Sequence, residues 1–393
     1  MDGIQKLEER LQQPFFDYQL ETLQDWETND RQRVCLYYRT GAGKSRTALA
    51  LLALRDYAEA VVVAPPVTHQ AWQELGTTMG IAVKTMSHAT FRMRKTLLRK
   101  DIPLIADEFH LFGGHDGIGW KKLDRTAAGL QAPVVLCSAT PNYNDAERCY
   151  CVQHILDPAS CRGGFLQFIY QHCATEQNPY GQMPKVTGFL HYTDAAMYLA
   201  SLPGVRYLPD PHEYEIVDIP MVSSVPEEFE RYGLNFRTNR IMASVMEKNH
   251  QRYRLNLTTS EGFLRDQVYD TLNDLIGNAA TQVMIFCYSS MIAEAVKASC
   301  DRYQVNSRLV TGDTPPQQKD AWIEEFKRRQ VDVLIGTSTL GTGTDGLDQV
   351  CDMMILVHDT PDAASRRQVI GRILPRGIDT DASRKQIYRL TFD

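Results

Sequence analysis

Short apolar runs alternate along this chain with stretches in which apolar residues recur at helical spacing. Val34-Cys35-Leu36-Tyr37 reads as a strand, and the segment from Lys44 to about Arg55 as a helix. Ala60-Val61-Val62-Val63-Ala64 is a second strand, followed by a helix through Trp72 and a strand near Val83. Another helix precedes Pro103-Leu104-Ile105-Ala106, and Pro133-Val134-Val135-Leu136-Cys137 is a further strand. Unbroken apolar runs, rather than alternation, mark strands buried on both faces, as in a parallel sheet covered by helices.

The pattern then starts again. Val283-Met284-Ile285-Phe286 is a strand, with a helix from Ser290 to about Ser299 and a short strand at Leu309-Val310. The segment from Pro315 to Arg329 is amphipathic, with Trp322, Ile323 and Phe326 on one face. Strands at Val331–Ile335 and Met353–Val357 follow. From about Tyr143 to Leu257 the periodicity weakens. Helices are expected there near Phe165–Tyr170, Asp194–Leu202 and Arg240–Arg254, and His212–Pro220 reads as a strand leading into the second lobe. The expected fold class is α/β, with a first lobe and following helical connector at 1–215 and a second lobe at 216–393. A chain of 393 residues suits two domains, and 43% hydrophobic with 23% charged residues is a globular composition.

The net charge of −6 excludes a uniformly basic, histone-like binder. It leaves open a local basic groove, which is all that backbone phosphates need. Nine cysteines, an odd number, and a polar start without an apolar signal core lead to reduced thiols and a cytoplasmic setting, the host-cell cytoplasm if the chain is phage-encoded. With no apolar run of about 18 residues, no membrane partner is expected.

Thr40-Gly41-Ala42-Gly43-Lys44-Ser45 lies between the first strand and its helix, the setting a phosphate-binding loop requires. Glycines let backbone N–H groups close around the β- and γ-phosphates, and Lys44 neutralises their charge. Ser45 can ligate Mg²⁺ through its hydroxyl, and the helix N-terminus adds its dipole. The general pattern has glycine at position 38, where this chain has Tyr38. Asp107-Glu108-Phe109-His110 directly follows the strand ending at Ala106. Alone, such a pair would read as a solvated turn. Beside a phosphate loop, Asp107 is placed to hold Mg²⁺ and Glu108 to orient or deprotonate the attacking water. Ser138-Ala139-Thr140 closes the next strand, where Ser138 and Thr140 are placed to couple nucleotide state to the other lobe.

In order, these three segments resemble motifs I, II and III of the superfamily 2 helicases. Phe16-Asp17-Tyr18-Gln19 resembles the upstream glutamine motif, whose Gln reads the adenine edge. Ala64-Pro65-Pro66 with Gln70 and Trp72 is similar to motif Ia, and Ser87-His88-Ala89-Thr90 occupies the place of motif Ib. Phe286-Cys287-Tyr288-Ser289 looks like motif IV, and Gly336-Thr337 through Gly343-Thr344-Asp345 resembles motif V. Gln368-Val369-Ile370-Gly371-Arg372 resembles motif VI. That motif usually carries a second arginine three residues on, at the position of Pro375; here it stands one place later, at Arg376.

The resemblance implies two RecA-like parallel-sheet lobes with an ATP cleft between them, and a nucleic-acid-dependent ATPase of helicase or translocase type using ATP and Mg²⁺. The catalytic roles it implies fall on Lys44, Asp107, Glu108, Gln368, Arg372 and Arg376. Nucleotide binding falls on Gln19, Thr40, Gly41, Ala42, Gly43, Lys44, Ser45 and Asp345. Pro65, Thr90 and Thr337 are the implied nucleic-acid contacts, and Arg92 and Arg94, in the basic run that follows, lie where the first lobe should meet the strand.

The Asp-Glu-x-His form and the insertion-light middle are most similar to DNA translocase branches: the Swi/Snf-like, type III restriction and phage UvsW-like ATPases. DNA, duplex or branched, is therefore expected over RNA, with the chain acting as a monomer. No segment is obviously spare for a strand-separating wedge, so weak unwinding is expected, with a protein partner supplying strand separation or targeting. The alternatives are an RNA helicase and a nucleotide-dependent switch that hydrolyses ATP without travelling. Cys149, Cys151, His154, Cys161, His172 and Cys173 cluster in sequence, but Cys149-x-Cys151 is too tight for a zinc pair and the cysteines read as small core residues.

Overall fold

The computed structural model describes residues 2–94, 98–139, 146–178, 183–209, 214–221, 265–341, 346–360, 363–375 and 385–392. The chain divides into two compact units, Met1–Asp210 and Pro211–Asp393.

The first unit is built on β1 (Arg33–Tyr38), β2 (Glu59–Val63), β3 (Ala82–Met86), β4 (Leu104–Asp107) and β5 (Val134–Ser138). Two further strands, β6 (Cys173–Glu176) and β7 (Lys185–Phe189), form a hairpin of their own, and β8 (Val205–Leu208) returns to the main sheet. That sheet has the order β3-β2-β4-β5-β1-β8, and every pairing in it is parallel. The apolar runs give strands buried on both faces because alternate side chains enter different cores. Cys35 and Tyr37 pack with Leu104, Leu136 and Trp120, while Val34, Leu36 and Tyr38 pack with Leu49, Leu52 and Trp72.

The parallel order has one consequence for function. The carboxyl ends of all six strands lie along one edge, and β5 runs between β4 and β1. The loops after β1, β4 and β5 are thereby brought side by side, although they are far apart in sequence.

The β6–β7 hairpin is antiparallel and stands apart from the six-stranded sheet. Its Cys173 and Phe189 are nonetheless buried in the core of the first unit. Its strands, Cys-Ala-Thr-Glu and Lys-Val-Thr-Gly-Phe, carry too few apolar residues to show by periodicity. Tyr170, Leu190 and Tyr192 are exposed beside it.

The second unit holds β9 (Ile216–Met221), β10 (Gln282–Cys287), β11 (Ser307–Val310), β12 (Val333–Gly336), β13 (Cys351–His358) and β14 (Gln386–Phe392). Their order is β11-β12-β10-β13-β14-β9, again with all pairings parallel. On β14, Arg389 grips Asp218 of β9 with Nε at 2.7 Å and Nη2 at 2.8 Å. Such a bidentate pair fixes strand register more than it adds stability, since Asp218 is largely exposed. No helix among the described residues is long and apolar enough to cross a membrane.

Candidate active site

The loop after β1 turns sharply into the helix Lys44–Ala53. Gly41 and Gly43 both take left-handed backbone angles, φ +79° and +75°. At Gly43 a side chain is excluded a second time, because a Cβ there would lie 2.5 Å from Gln19 Nε2. Lys44 Nζ donates to the carbonyls of Tyr38 at 3.1 Å and Arg39 at 3.4 Å, so the ammonium folds back over the loop. Thr40 and Ser45 are half-buried at the two ends of the turn, and Ala42 is buried.

Asp107 ends β4, two strands from β1 in the sheet, and is only 6% exposed. Burial raises its carboxyl well above the usual carboxylate range, the Glu108 charge raises it further, and Lys44 opposes both. Lys44 is thus near enough to act on Asp107, as the adjacency of β1, β5 and β4 requires. Trp72 Nε1–H donates to Asp107 Oδ2 at 3.1 Å, and the Glu108 N–H donates to Oδ1 at 3.0 Å. His88 Nε2 lies 2.9 Å from the Asp107 carbonyl. Burial lowers His88 to about 4, so a neutral ring donates that bond.

Glu108 itself has φ +45° and ψ 49°, a left-handed conformation unusual for a side-chain-bearing residue. Such a backbone costs about 1–2 kcal/mol, and it turns the chain abruptly after the strand. His110 Nδ1 lies 3.3 Å from Glu108 Oε2 and 3.2 Å from Ser138 Oγ. One histidine therefore links the acidic pair to the end of β5.

Mg²⁺ prefers hard oxygen ligands and keeps several waters, using one or two carboxylates together with substrate phosphates. The Asp107 carboxylate and Ser45 hydroxyl fit that requirement. A fully buried carboxylate held up by its surroundings also gains from a divalent cation. Among the described residues no group of three His, Cys, Asp or Glu side chains could hold a metal ion. Cys149, Cys151, Cys161 and Cys173 are buried in the first unit, and His154 pairs with Asp124 at 3.2 Å.

The remaining sequence-derived residues are spread over both units. Pro65 is half-buried after β2, and its carbonyl accepts from Thr68 Oγ1 at 2.9 Å. Thr90 is exposed on the short helix His88–Met93, with its hydroxyl 2.9 Å from Ser87 Oγ, and Arg92 and Arg94 are exposed after it. In the second unit Thr337 is buried after β12, with Oγ1 3.2 Å from Thr339 Oγ1. Gln368 is half-buried on the helix Ala363–Ile370, and Arg372 is buried just beyond it. Burial and the neighbouring Arg372 guanidinium lower the Lys319 ammonium, against Asp320, so two cations share this region. Thr140, Asp345 and Arg376 lie outside the described residues, as does the expected helix Arg240–Arg254.

Trp72, His88 and His110 carry more of the site than their sequence patterns suggested. A signal existed for Trp72: a buried indole N–H requires an acceptor, and a carboxylate at a strand end is one. Gln19 also behaves differently from the glutamine-motif expectation. It is fully buried, accepts from the Phe16 N–H at 3.1 Å and donates to the Ala42 carbonyl at 3.1 Å.

Residues 267–377 match the family model of the helicase conserved C-terminal domain. No curated relative matches the sequence. Among solved structures the chain is similar to S. cerevisiae Dbp5 bound to RNA and ADP BeF3, at 15% identity and a TM-score of 0.55, covering 100% of this chain and 87% of that one. It also matches the Sulfolobus solfataricus SWI2/SNF2 ATPase core in complex with dsDNA, at 13% identity and a TM-score of 0.43, covering 96% of this chain and 88% of that one. The second unit therefore carries a helicase conserved C-terminal domain, and the two parallel-sheet α/β units have the fold of RecA-like helicase cores.

Proposed function

We propose that this chain hydrolyses ATP to move along DNA, duplex or branched, as a translocase. The observation that carries the reading is that Lys44 and Asp107 lie at the same edge of one sheet, on loops two strands apart, with the ammonium close enough to act on the carboxyl. Triphosphate binds the N–H groups of residues 41–45 at the start of a helix, where the dipole and Lys44 both favour anions. Asp107 and Ser45 would hold Mg²⁺, which when bound neutralises charge on the β- and γ-phosphates. Glu108 orients the attacking water and takes its proton. Its left-handed backbone and the His110 contact fix its placement after the strand, and the Trp72 hydrogen bond holds Asp107. Thr90, Arg92 and Arg94 supply backbone-phosphate contacts in the first unit, and Thr337 in the second.

Arg372 is assigned to the same reaction, as the cation that meets charge developing on the transferred phosphoryl group. Arg372→Ala should lower turnover by a factor approaching 10³, the lower end for an arginine finger, with nucleotide affinity largely kept. Arg376→Ala should cost less. Turnover, nucleotide binding and thermal melting of both variants decide the assignment, and greater damage from Arg376→Ala would reverse it.

The choice of DNA rests on the Asp-Glu-x-His form and sparse middle of the sequence. ATPase assays with matched duplex DNA, single-stranded DNA and RNA test it. Duplex or branched DNA should stimulate most, with little sequence preference. Affinity should fall with salt at a log–log slope of about −0.9 per phosphate contact. A clear preference for RNA would remove the DNA reading and leave the motor, whereas no stimulation by any of the three would favour a switch that does not travel. Weak unwinding of long duplexes is expected, and strand displacement is to be measured separately from ATPase.

A further inference from the structure

We infer that Gln19 positions the phosphate loop instead of reading the base, and that the site therefore takes nucleoside triphosphates with little regard to the base. This rests on the nucleotide-site reading above.

Both halves of the Gln19 amide are engaged within the protein. Its Oε1 accepts from the Phe16 N–H and its Nε2 donates to the Ala42 carbonyl, each at 3.1 Å. One partner is only a donor and the other only an acceptor, so the amide has a single sensible orientation. The side chain is 0% exposed, which leaves a base edge no route to it in this arrangement.

The engagement has a purpose at the loop. The Ala42 carbonyl also accepts from Tyr18 O–H at 3.1 Å, so two donors from the helix Asp17–Thr28 hold it. Across a trans peptide the next N–H points the opposite way. Pinning the Ala42 carbonyl toward that helix therefore turns the Gly43 N–H away from it, into the hollow of the loop. Gln19 also occupies the space a Cβ at Gly43 would need. It is a wedge that sets one phosphate-binding amide.

What this region offers a base instead is an aromatic face. Phe16 is 55% exposed, and its ring lies nearly parallel to that of Tyr18, with centroids 5.6 Å apart and planes at 12°. Stacking tolerates any base because every base has a π-face. A site that hydrogen-bonds a substrate edge can reject the wrong partner by about 10⁴–10⁵, and nothing of that size is available from stacking.

The test uses a ligand with no base. Inorganic tripolyphosphate is titrated as an inhibitor of ATP hydrolysis by the wild-type chain, Gln19→Ala and Tyr18→Phe, with melting curves for each. Losing one bond to the Ala42 carbonyl should weaken tripolyphosphate and ATP by the same factor, about three- to tenfold. The wild-type kcat/KM for ATP, GTP, CTP and UTP should agree within about tenfold, since only stacking separates them. If Gln19→Ala weakens ATP alone, or erases a large preference of the wild type for ATP over GTP, Gln19 reads the base and the inference fails while the nucleotide site stands. Should the wild type bind neither ATP nor tripolyphosphate, the nucleotide site itself falls and takes the inference with it. Tyr18→Phe and the wild-type selectivity keep the question decidable if Gln19→Ala does not fold.

Discussion

Lys44→Ala should reduce ATP turnover on the order of 10²–10³ or more, the loss seen when one preorganised donor to developing charge is removed. The fold should survive. Lys44 is half-buried, and its contacts to the protein are two hydrogen bonds to the loop carbonyls of Tyr38 and Arg39. Bonds of this kind contribute about 0.5–1.5 kcal/mol each, and those carbonyls can turn to water when the ammonium is gone. A melting temperature lower by roughly 2–4 °C per kcal/mol is therefore expected for a unit of this size. Losing the cation also removes one of the influences that oppose burial and Glu108 at Asp107, leaving the hydrogen bonds from Trp72 and the Glu108 N–H, so the carboxyl is driven further toward its neutral form. Metal holding should weaken together with phosphate binding. Wild-type turnover by a Lys44→Ala protein with an intact melting transition would dismiss the phosphate-loop assignment, and with it the function proposed above.

Much of this site could be read because its chemistry is local. The phosphate loop needs glycines, lysine and a hydroxyl within a few residues, and the acidic pair needs only the end of a strand. The strands beneath them were legible for a related reason. β1, β2, β4, β5, β10, β12 and β13 are filled on both faces, so each is an unbroken apolar run. β14 was missed because polar Arg389 interrupts its pattern to pair with Asp218 on the edge strand. β6 and β7 were missed because a two-stranded hairpin outside the main sheet needs only one apolar face.

The supporting contacts were out of reach for a different reason. Trp72 lies 35 residues from Asp107, His88 lies 19 from it, and His110 lies 28 from Ser138. Tyr18 and Gln19 reach Ala42 across 24 and 23 residues. None of these pairs has a spacing that a motif could encode. They follow from the order β2-β4-β5-β1, which decides which loops become neighbours. The glutamine motif shows the limit most plainly: the residue type was found, but its amide faces the loop backbone, and only the packing around Ala42 reveals that.

Glu108→Gln should bind ATP, fail to hydrolyse it, and thereby separate binding from turnover. The substitution keeps the shape and both hydrogen-bonding positions of the side chain but removes the base. The local backbone should hold, because the Glu108 N–H bond to Asp107 Oδ1 does not depend on the side chain. Asp107 keeps Trp72 as its partner, and loss of the neighbouring charge makes its ionised form easier to maintain. Metal and nucleotide should therefore bind at least as well as in the wild type. General-base catalysis contributes about 10²–10⁴ in rate, and turnover should fall by that amount. His110 adds a further expectation, since it touches Glu108 on one side and Ser138 on the other. A neutral amide at position 108 should hold that link in its ATP-bound arrangement. Nucleic-acid affinity measured with ATP should then differ from affinity without it, and the difference should persist because no hydrolysis resets the state. Equal affinities would break the proposed coupling between nucleotide and nucleic acid while leaving ATP hydrolysis in place, and unimpaired turnover would remove Glu108 from the reaction.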